Sequence, residues 1–377
     1  MKKILIVAMA DSVHTARWIR QFDDDEINFV LFPSTPHRRI HPLILQHISA
    51  NRKSSLKISP WMKCGALPLG VIDLLFNNRF RARLLAKEID AFNPDLIHIM
   101  ETQHAGYLTD KALSLASKKP KLALSIWGSD LFWFQRFPKH QSRIRSVLEK
   151  VDAIFTECRR DEEISRELGY KGICIYGVPA SGGFEYETNL SDDIYVAPSK
   201  RKIIAVKGYS GFVGQGTVAI KALERNSDVL KGYKIVVFSA DWKTRIFSQF
   251  VKFRTGLVIE VRIKHSQSAE EMRKLFSDTR LVIGISKSDG LPATIKEAAS
   301  FGAFPIQTNT SCAGEWLKDG VSILLVPVDS PEALDLALRI ALEDDNLVDS
   351  AARLNFEIAK SQIDRVAVRS KISPLYD

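Results

Sequence analysis

The sequence contains few cysteines, and their spacing is not that of metal ligands. Only four of its 377 residues are cysteine, and no two of them form a CxxC pair. This spacing argues against a zinc site or a disulfide framework, and it is typical of proteins from a reducing compartment. We therefore expect a cytoplasmic protein without a cysteine-ligated zinc site.

Long apolar runs are also absent. No stretch reaches the roughly 18 apolar residues that a transmembrane helix needs, so we expect no membrane span. The opening MKKILIVAMADS has the basic start and the apolar run of a signal peptide. However, the run is short and the small residues come too early for a cleavage site. We interpret it as a first β-strand.

Acidic residues are outnumbered by basic ones, which leaves a net charge of +9. The basic residues are widely spread and no nucleic-acid-binding motif accompanies them, so we expect no nucleic-acid partner. An anionic membrane surface and phosphate-bearing ligands both remain as partners that the charge would suit.

Short apolar runs alternate with longer amphipathic ones through both halves of the chain. KKILIVAMADS and RKIIAVKGYS open the two halves in the same way, and a helix-like run follows each. Continuous apolar strands separated by helices predict a parallel sheet that is covered on both faces. Because the chain exceeds the usual size for one core, we predict an α/β protein of two Rossmann-like domains that face each other across a cleft.

The domain boundaries follow from composition. We place the first domain at residues 1–180 and the second at residues 201–355. A linker rich in Gly, Pro, Ser and Asp occupies residues 181–200. The helical spacing of residues 356–377 predicts a C-terminal helix that returns to the N-terminal domain. Ligands in such folds lie at the carboxyl ends of the strands, which is where the motifs below fall.

The segment SKSDGLPATIKEAASFGAFPIQTNT follows one predicted strand and opens a helix. Pro292 suits the first helical position, because its missing N–H costs nothing there. Gly290 allows a sharp turn and keeps side chains away from a ligand. The unpaired N–H groups from Leu291 to Thr294 would then form an anion site, which the helix dipole favours.

Two carboxylates flank this turn. Asp289 could accept hydrogen bonds from sugar hydroxyls, and Glu297 could bind the paired hydroxyls of a ribose. Thr294 could add a hydroxyl donor. The alternative is that Asp289 caps the helix and that Glu297 is an ordinary surface residue.

The stretch SDGLPATIKEAASFGAFPIQTNTSCAGEWLKDGVSILLVP resembles the donor-binding segment of retaining GT-B glycosyltransferases, in particular glycosyltransferase family 4. The resemblance extends to Ser12–Trp18, PDLIHIMETQHAGYL and WGSDL. It implies that the first domain binds the acceptor and the second a nucleotide-sugar. The implied reaction moves a hexose from a nucleotide-sugar, with UDP favoured, to a glycan or lipid-linked glycan of cell-surface polysaccharide or lipopolysaccharide biosynthesis. It would retain the anomeric configuration and use neither a metal nor another cofactor.

The resemblance also assigns roles to the donor loop. Glu297 is similar to the ribose ligand and Asp289 to the acid that contacts the sugar, with the amides of Gly290 and Leu291 beside it. Pro292 and Thr294 belong to the same donor loop. The family usually has Glu where this chain has Asp289, so the carboxylate is one methylene shorter and the donor sugar or its pose could differ.

A glycine-rich loop, AVKGYSGFVGQG, follows the first strand of the second domain. Relatives bind the donor diphosphate with an Arg and a Lys here, and Lys207 can supply one of these cations. Gly208 and the flexible loop would help to cradle phosphate. Lys264, in a segment that resembles the base-binding loop, would supply the second cation. The alternative is a glycine-rich turn with a surface lysine.

Five residues of the first domain are candidates for the acceptor or sugar side: Ser12, His14, Glu101, Trp127 and Asp130. Relatives often have a histidine where this chain has Trp127, so no catalytic histidine is predicted. Trp127 would stack on a sugar face and Asp130 would bind hydroxyls. The alternatives are a buried Trp127 beside an N-capped helix and a structural His14.

The segment CGALPLGVIDLLFNNRFRARLLAKEI combines apolar residues with Arg79, Arg81, Arg83 and Lys87. An interfacial helix with this basic face would place the protein at the inner face of the membrane, which suits a lipid-linked acceptor. The alternative is an amphipathic helix packed on the sheet. Two other functions also remain open: a catalytically silent GT-B binding or scaffold protein, and a GT-B sugar-nucleotide epimerase.

Overall fold

The computed structural model describes residues 1–36, 39–50, 52–59, 71–73, 75–76, 79–184, 196–211, 213–264 and 266–376. The chain divides into two compact units. The first comprises Met1–Glu185 and Asp364–Asp377, and the second comprises Tyr186–Ile363. Much of the predicted linker at residues 181–200 lies outside the described residues.

The first unit contains a seven-stranded parallel sheet in the order β3-β2-β1-β4-β5-β6-β7. Its strands are β1 (Lys2–Ala8), β2 (Ile27–Pro33), β3 (Ser55–Ile58), β4 (Leu96–Met100), β5 (Lys121–Ser125), β6 (Ala153–Thr156) and β7 (Ile173–Tyr176). Its helices are α1 (Val13–Arg20), α2 (Pro42–Ser49), α3 (Arg79–Phe92), α4 (Tyr107–Leu113), α5 (Ser129–Phe132), α6 (Pro138–Leu148), α7 (Arg159–Glu167) and α14 (Arg365–Tyr376).

The central strands of this sheet are buried on both faces. Leu5 and Val7 of β1 belong to one apolar core, whereas Ile4 and Ile6 belong to the core on the opposite face. Alternating side chains of one strand therefore enter two separate cores, as in a sheet that has helices on both sides. This arrangement explains why the strand reads as a continuous apolar run.

The C-terminal helix α14 is anchored in the first unit by its last residues. Tyr376 is 2% exposed, and its ring stacks on Phe22 with a centroid distance of 4.1 Å. The indole N–H of Trp18 donates to the Tyr376 hydroxyl at 2.8 Å, and the hydroxyl also bonds to His98. Burial lowers the pKa of His98 to about 3, so the ring is neutral.

The second unit contains a six-stranded parallel sheet in the order β10-β9-β8-β11-β12-β13. Its strands are β8 (Ile203–Lys207), β9 (Lys234–Ala240), β10 (Val258–Ile263), β11 (Thr279–Gly284), β12 (Phe304–Thr308) and β13 (Leu324–Val326). Its helices are α8 (Gly216–Arg225), α9 (Trp242–Thr255), α10 (Ala269–Ser277), α11 (Ala293–Ser300), α12 (Pro331–Glu343) and α13 (Asp345–Ile358).

Both sheets confirm the predicted α/β class with two Rossmann-like domains. In each sheet the strand order reverses beside the first strand of the unit, between β1 and β4 and between β8 and β11. Crevices for ligands form at the carboxyl ends of the strands at such switch points. Within the described part of the chain, no helix combines the length and the apolar character needed to cross a bilayer.

Candidate functional site

A pocket lies at the switch point of the second unit, where β8 and β11 end. The residues that line it are Lys207, Tyr209, Val213, Gly214, Gly284, Ile285, Ser286, Asp289 and Gln307. The pocket therefore brings together Lys207 and Asp289, the two residues that the sequence predicts to be catalytic. Lys207 is the last residue of β8 and Asp289 lies in the loop after the neighbouring strand β11, although 82 positions separate them in the chain.

Lys207 and Asp289 form an ion pair across this pocket. The Lys207 Nζ lies 3.3 Å from Asp289 Oδ2, and the two side chains are 27% and 26% exposed. An ion pair that water reaches contributes at most about 1 kcal/mol. A ligand with more negative charge, such as a diphosphate, could therefore displace Asp289 from the Lys207 ammonium at little cost in free energy.

The glycine-rich loop after β8 is held firmly by backbone hydrogen bonds. The amide of Gln215 donates to Ile285 O at 2.8 Å, and that of Lys287 donates to Val213 O at 2.7 Å. The carboxylate of Asp241 accepts from the Ser210 amide at 2.7 Å. The loop is thus fixed against the segment that carries Asp289, which keeps Lys207 close to Asp289.

Gly208, a predicted donor ligand, has a packing role in this loop. Its amide donates to Phe238 O at 2.8 Å, which occupies that N–H. A Cβ at this position would lie 2.8 Å from Ala240 Cα, closer than real side chains come to backbone. Only glycine fits here, and the contact of Gly208 with a donor stays a prediction.

Helix α11 begins close to Asp289 and its first turn is open. The helix starts at Ala293, so Pro292 is its N-cap residue rather than its first helical residue, and the predicted start is one residue too early. Pro292 O accepts the Ile295 amide at 2.9 Å, and no side chain caps this end. The amides of Ala293 and Thr294 precede the first intrahelical bond, which makes this terminus a favourable place for an anion.

Other predicted donor residues lie on or beside α11. The Gly290 amide donates to the Asp289 carboxylate at 3.0 Å, and Leu291 is buried. Thr294 and Glu297 are partly exposed and three residues apart, so they share one face of the helix. Lys264 is exposed at the end of the edge strand β10 and does not line the pocket. Among the described residues, Lys207 is thus the one lysine or arginine that lines the pocket.

Gln307 is a pocket residue that the sequence does not single out. It is 1% exposed, and its Nε2 donates to the hydroxyls of Ser286 and Thr308 at 3.2 Å each. Within the described residues its Oε1 has no hydrogen-bond partner. A buried carbonyl without a partner is costly, so a ligand donor in the pocket would be favoured. The sequence signal for Gln307 is an amide that directly follows the apolar residues Phe304–Ile306 of β12.

The five candidates of the first unit follow the strand ends β1, β4 and β5. Asp130 is 4% exposed, and its carboxylate accepts from the Thr102 amide and hydroxyl at 3.0 and 2.9 Å. It also accepts from the Trp127 amide at 2.8 Å. Asp130 therefore joins two loops, and its contact with a sugar hydroxyl stays a prediction. Burial raises the pKa of its carboxyl to about 6.

Glu101 occupies an unusual position between β4 and the turn before α4. It is 6% exposed, and its backbone has a φ of 85°. Its carboxyl accepts the His104 amide at 2.8 Å. Burial, followed by the nearby Asp130, raises the pKa of Glu101 to about 8. A non-glycine residue at positive φ costs about 1–3 kcal/mol, and such strain is concentrated at functional sites.

Stability should depend on this carboxyl. Below about pH 8 most folded molecules keep the Glu101 proton, which the unfolded state has already released at pH 6.5. Stability should therefore fall as pH rises, by about 2 kcal/mol between about pH 6.5 and 8, because each pH unit is worth about 1.4 kcal/mol. The melting temperature of the wild type should fall when the pH is raised from 6.5 to 8. The melting temperature of Glu101→Gln should fall much less over the same range. Equal shifts in the two proteins would contradict the buried proton.

Ser12, His14 and Trp127 lie together at the end of β1. Ser12 caps α1, and its hydroxyl accepts the His14 amide at 3.2 Å. The rings of His14 and Trp127 are in contact, with centroids 4.9 Å apart. Among the described residues, the buried Trp127 Nε1 has no hydrogen-bond partner. Gly128 then turns the chain with a φ of 81°, where other residues would be strained.

The predicted basic face of residues 79–87 is only partly exposed. Arg79, Arg83 and Lys87 are exposed on α3, but Arg81 is 8% exposed and pairs with Asp73. Arg81 is therefore not available to a membrane, contrary to the expectation, because its guanidinium is used inside the first unit. Residues 64–70, 74, 77 and 78 of the same predicted segment lie outside the described residues.

Comparisons with known proteins agree with this architecture. Residues 3–157 match the family model described as glycosyl transferase 4-like, and residues 193–357 match glycosyl transferases group 1. No curated protein shows significant similarity to the sequence.

Solved structures share the fold over the whole chain. HepE of Anabaena, solved with UDP and glucose, has a TM-score of 0.71 at 16% identity, covering 100% of this chain and 99% of that one. Sucrose-phosphate synthase of Thermosynechococcus elongatus has a TM-score of 0.71 at 13% identity, with 100% and 98% covered. The lipopolysaccharide outer core galactosyltransferase WaaB has a TM-score of 0.63 at 14% identity, with 99% of each chain covered. By its two family matches and its fold, this chain is a glycosyltransferase of the GT-B type.

Proposed function

We propose that this glycosyltransferase uses a UDP-sugar and transfers the hexose, with retention of configuration, to a glycan or lipid-linked glycan. The proposed pathway is cell-surface polysaccharide or lipopolysaccharide biosynthesis, carried out in the cytoplasm at the inner face of the membrane. The observation that carries the proposal is the Lys207–Asp289 pair in a pocket at the switch point of the second unit.

The charges around this pocket suit a nucleoside diphosphate. Lys207 supplies a cation, and the open first turn of α11 supplies backbone N–H groups and the positive end of a helix dipole. When the diphosphate binds, it competes with Asp289 for the ammonium. Asp289 is then released to accept hydrogen bonds from hydroxyls of the donor sugar.

The same groups account for the rate of transfer. As the bond from the sugar to the diphosphate breaks, negative charge grows on the leaving oxygen and positive charge on the sugar ring. Fixed donors that face the leaving oxygen stabilise this state more than the ground state. The acceptor hydroxyl attacks from the face that the diphosphate leaves, which gives retention, and its proton passes to the leaving phosphate oxygen. We assign no metal to this step, because Lys207 and the helix terminus would balance the diphosphate.

The choice of donor and acceptor is supported by similar structures. HepE was solved with UDP and glucose, and WaaB is described as a lipopolysaccharide outer core galactosyltransferase. Glu297, on the exposed face of α11, would bind the ribose hydroxyls of the UDP moiety. Gln307 Oε1, at the pocket, would accept a hydrogen bond from the ligand.

A donor screen tests the proposal. The purified protein is incubated with UDP- and GDP-sugars, and mass spectrometry follows the release of nucleoside diphosphate, while calorimetry measures UDP and GDP binding. We expect UDP to bind more tightly than GDP and one UDP-sugar to be turned over. Tight binding without turnover would favour a scaffold protein, and conversion of the donor without hydrolysis or transfer would favour an epimerase.

A further inference from the structure

Helix α9 of the second unit exposes large apolar side chains to solvent. Trp242 is 67% exposed, Ile246 50%, Phe250 61% and Phe253 91%. Side chains of this size are normally buried, and a contiguous group of them on a surface usually marks an interaction site. The site that binds the donor does not include this helix.

The four side chains form one narrow stripe along α9. At 100° per residue they lie at 0°, 40°, 80° and about 20° around the helix axis, counted from Trp242. The buried positions Thr244, Ser248 and Val251 lie on the opposite side, at about 180–240°. The helix thus packs on its own unit through these three residues and the partly buried Phe247, while the four larger apolar side chains of the stripe face outward.

Basic residues border this stripe on both sides. Lys243 and Arg254 follow one edge, and Arg245 and Lys252 follow the other, all of them exposed. The helix contains no acidic residue between Trp242 and Thr255. Arg254 makes the one ion pair that the structure records for these four, 3.2 Å from Glu224 of α8.

We propose that α9 lies in the interface of an anionic lipid bilayer, with the stripe of Trp242, Ile246, Phe250 and Phe253 inserted among the acyl chains. In this orientation the long stems of the flanking lysines and arginines reach up to the headgroups. Anionic headgroups supply the negative charge that the helix itself lacks. This binding is separate from the proposed reaction, because it needs neither donor nor acceptor.

The charge pattern favours a lipid surface over a second copy of the chain. In a two-fold dimer built on this stripe, the four basic residues of one copy would lie against the same four of its partner. Like charges brought together at the edge of an apolar contact oppose association. A bilayer that contains anionic lipid has an apolar interior for the stripe and negatively charged headgroups for the basic residues that border it.

Vesicle co-sedimentation tests this inference. The full-length protein is mixed with vesicles of phosphatidylethanolamine and phosphatidylglycerol, or of phosphatidylcholine alone, without substrate. We expect binding to the anionic vesicles that weakens about tenfold or more in phosphatidylcholine. The double variant Phe250→Ser with Phe253→Ser should lose about tenfold or more of the binding to anionic vesicles. Leu336→Ser, at a residue 61% exposed on α12, is the matched control and should bind as the wild type does.

Three results would overturn the proposal. The first is equal binding of the double variant and the wild type to anionic vesicles, which would assign any membrane contact to another surface such as α3. The second is a wild-type protein that sediments with neither kind of vesicle. The third is a wild-type dimer, seen by light scattering, that the double variant converts to a monomer. Each of these results leaves the donor screen unaffected, so the failure of this inference and of the proposed function can be told apart.

Discussion

Lys207→Ala should lower the turnover number about a hundredfold with the preferred UDP-sugar. The Lys207 ammonium faces the pocket at the end of β8, where it can neutralise charge on the leaving diphosphate. Removing one well-placed donor to developing charge typically costs about 3 kcal/mol of transition-state stabilisation. Because the interaction strengthens as the bond breaks, kcat should fall more than the affinity for UDP.

The matched control for this variant is Lys202→Ala. Lys202 is exposed just before the start of β8. The Lys202→Ala variant therefore reports any general effect of removing a lysine near this strand. It should keep wild-type kcat and KM. Lys207→Arg should recover part of the lost rate, because it keeps the charge. A Lys207→Ala enzyme with wild-type kcat would exclude the proposed role.

Glu297→Ala should weaken UDP binding about a hundredfold or more. A carboxylate that accepts two ribose hydroxyls makes charge-assisted hydrogen bonds, each worth about 1.5–3 kcal/mol. These bonds are the same in the ground state and the transition state, so kcat at saturating donor should change little. Isothermal titration of UDP, with kcat measured separately, distinguishes the two effects.

Glu343→Ala, at an exposed position ending α12, is the control for Glu297→Ala and should bind UDP as the wild type does. The two variants each remove one carboxylate from a helix of the same unit. If Glu297→Ala kept the wild-type affinity for UDP, then Glu297 would be the ordinary surface residue of the alternative interpretation.

The fold and the core of the candidate site could be predicted from the sequence because both depend on local patterns. The continuous apolar strands β8 and β11 identify a parallel sheet, and polar residues directly after them must lie at one edge of it. Lys207 ends β8, Asp289 lies in the loop after β11, and the two do meet in the pocket. Gly290 likewise predicts the turn into α11, although the helix begins at Ala293, one residue later than predicted.

Other features depend on contacts between distant positions, which no local pattern shows. The unpaired carbonyl of Gln307 arises from the way its amide meets the hydroxyls of Ser286 and Thr308. Arg81 lies about 200° around α3 from Arg79, off the face of the exposed basic residues, and the structure pairs it with Asp73 in the interior. Hydrophobicity alone would predict that the stripe on α9 is buried in the core. The structure instead exposes the stripe and buries the side that carries Thr244 and Ser248.

A crystal structure of the protein with the preferred UDP-sugar bound is the most direct test of the donor site. It should place the diphosphate at the first turn of α11 within hydrogen-bond reach of Lys207, the ribose hydroxyls on the Glu297 carboxylate, and the hexose beside Asp289. A nucleotide bound elsewhere, or one whose ribose makes no contact with Glu297, would contradict the proposed site.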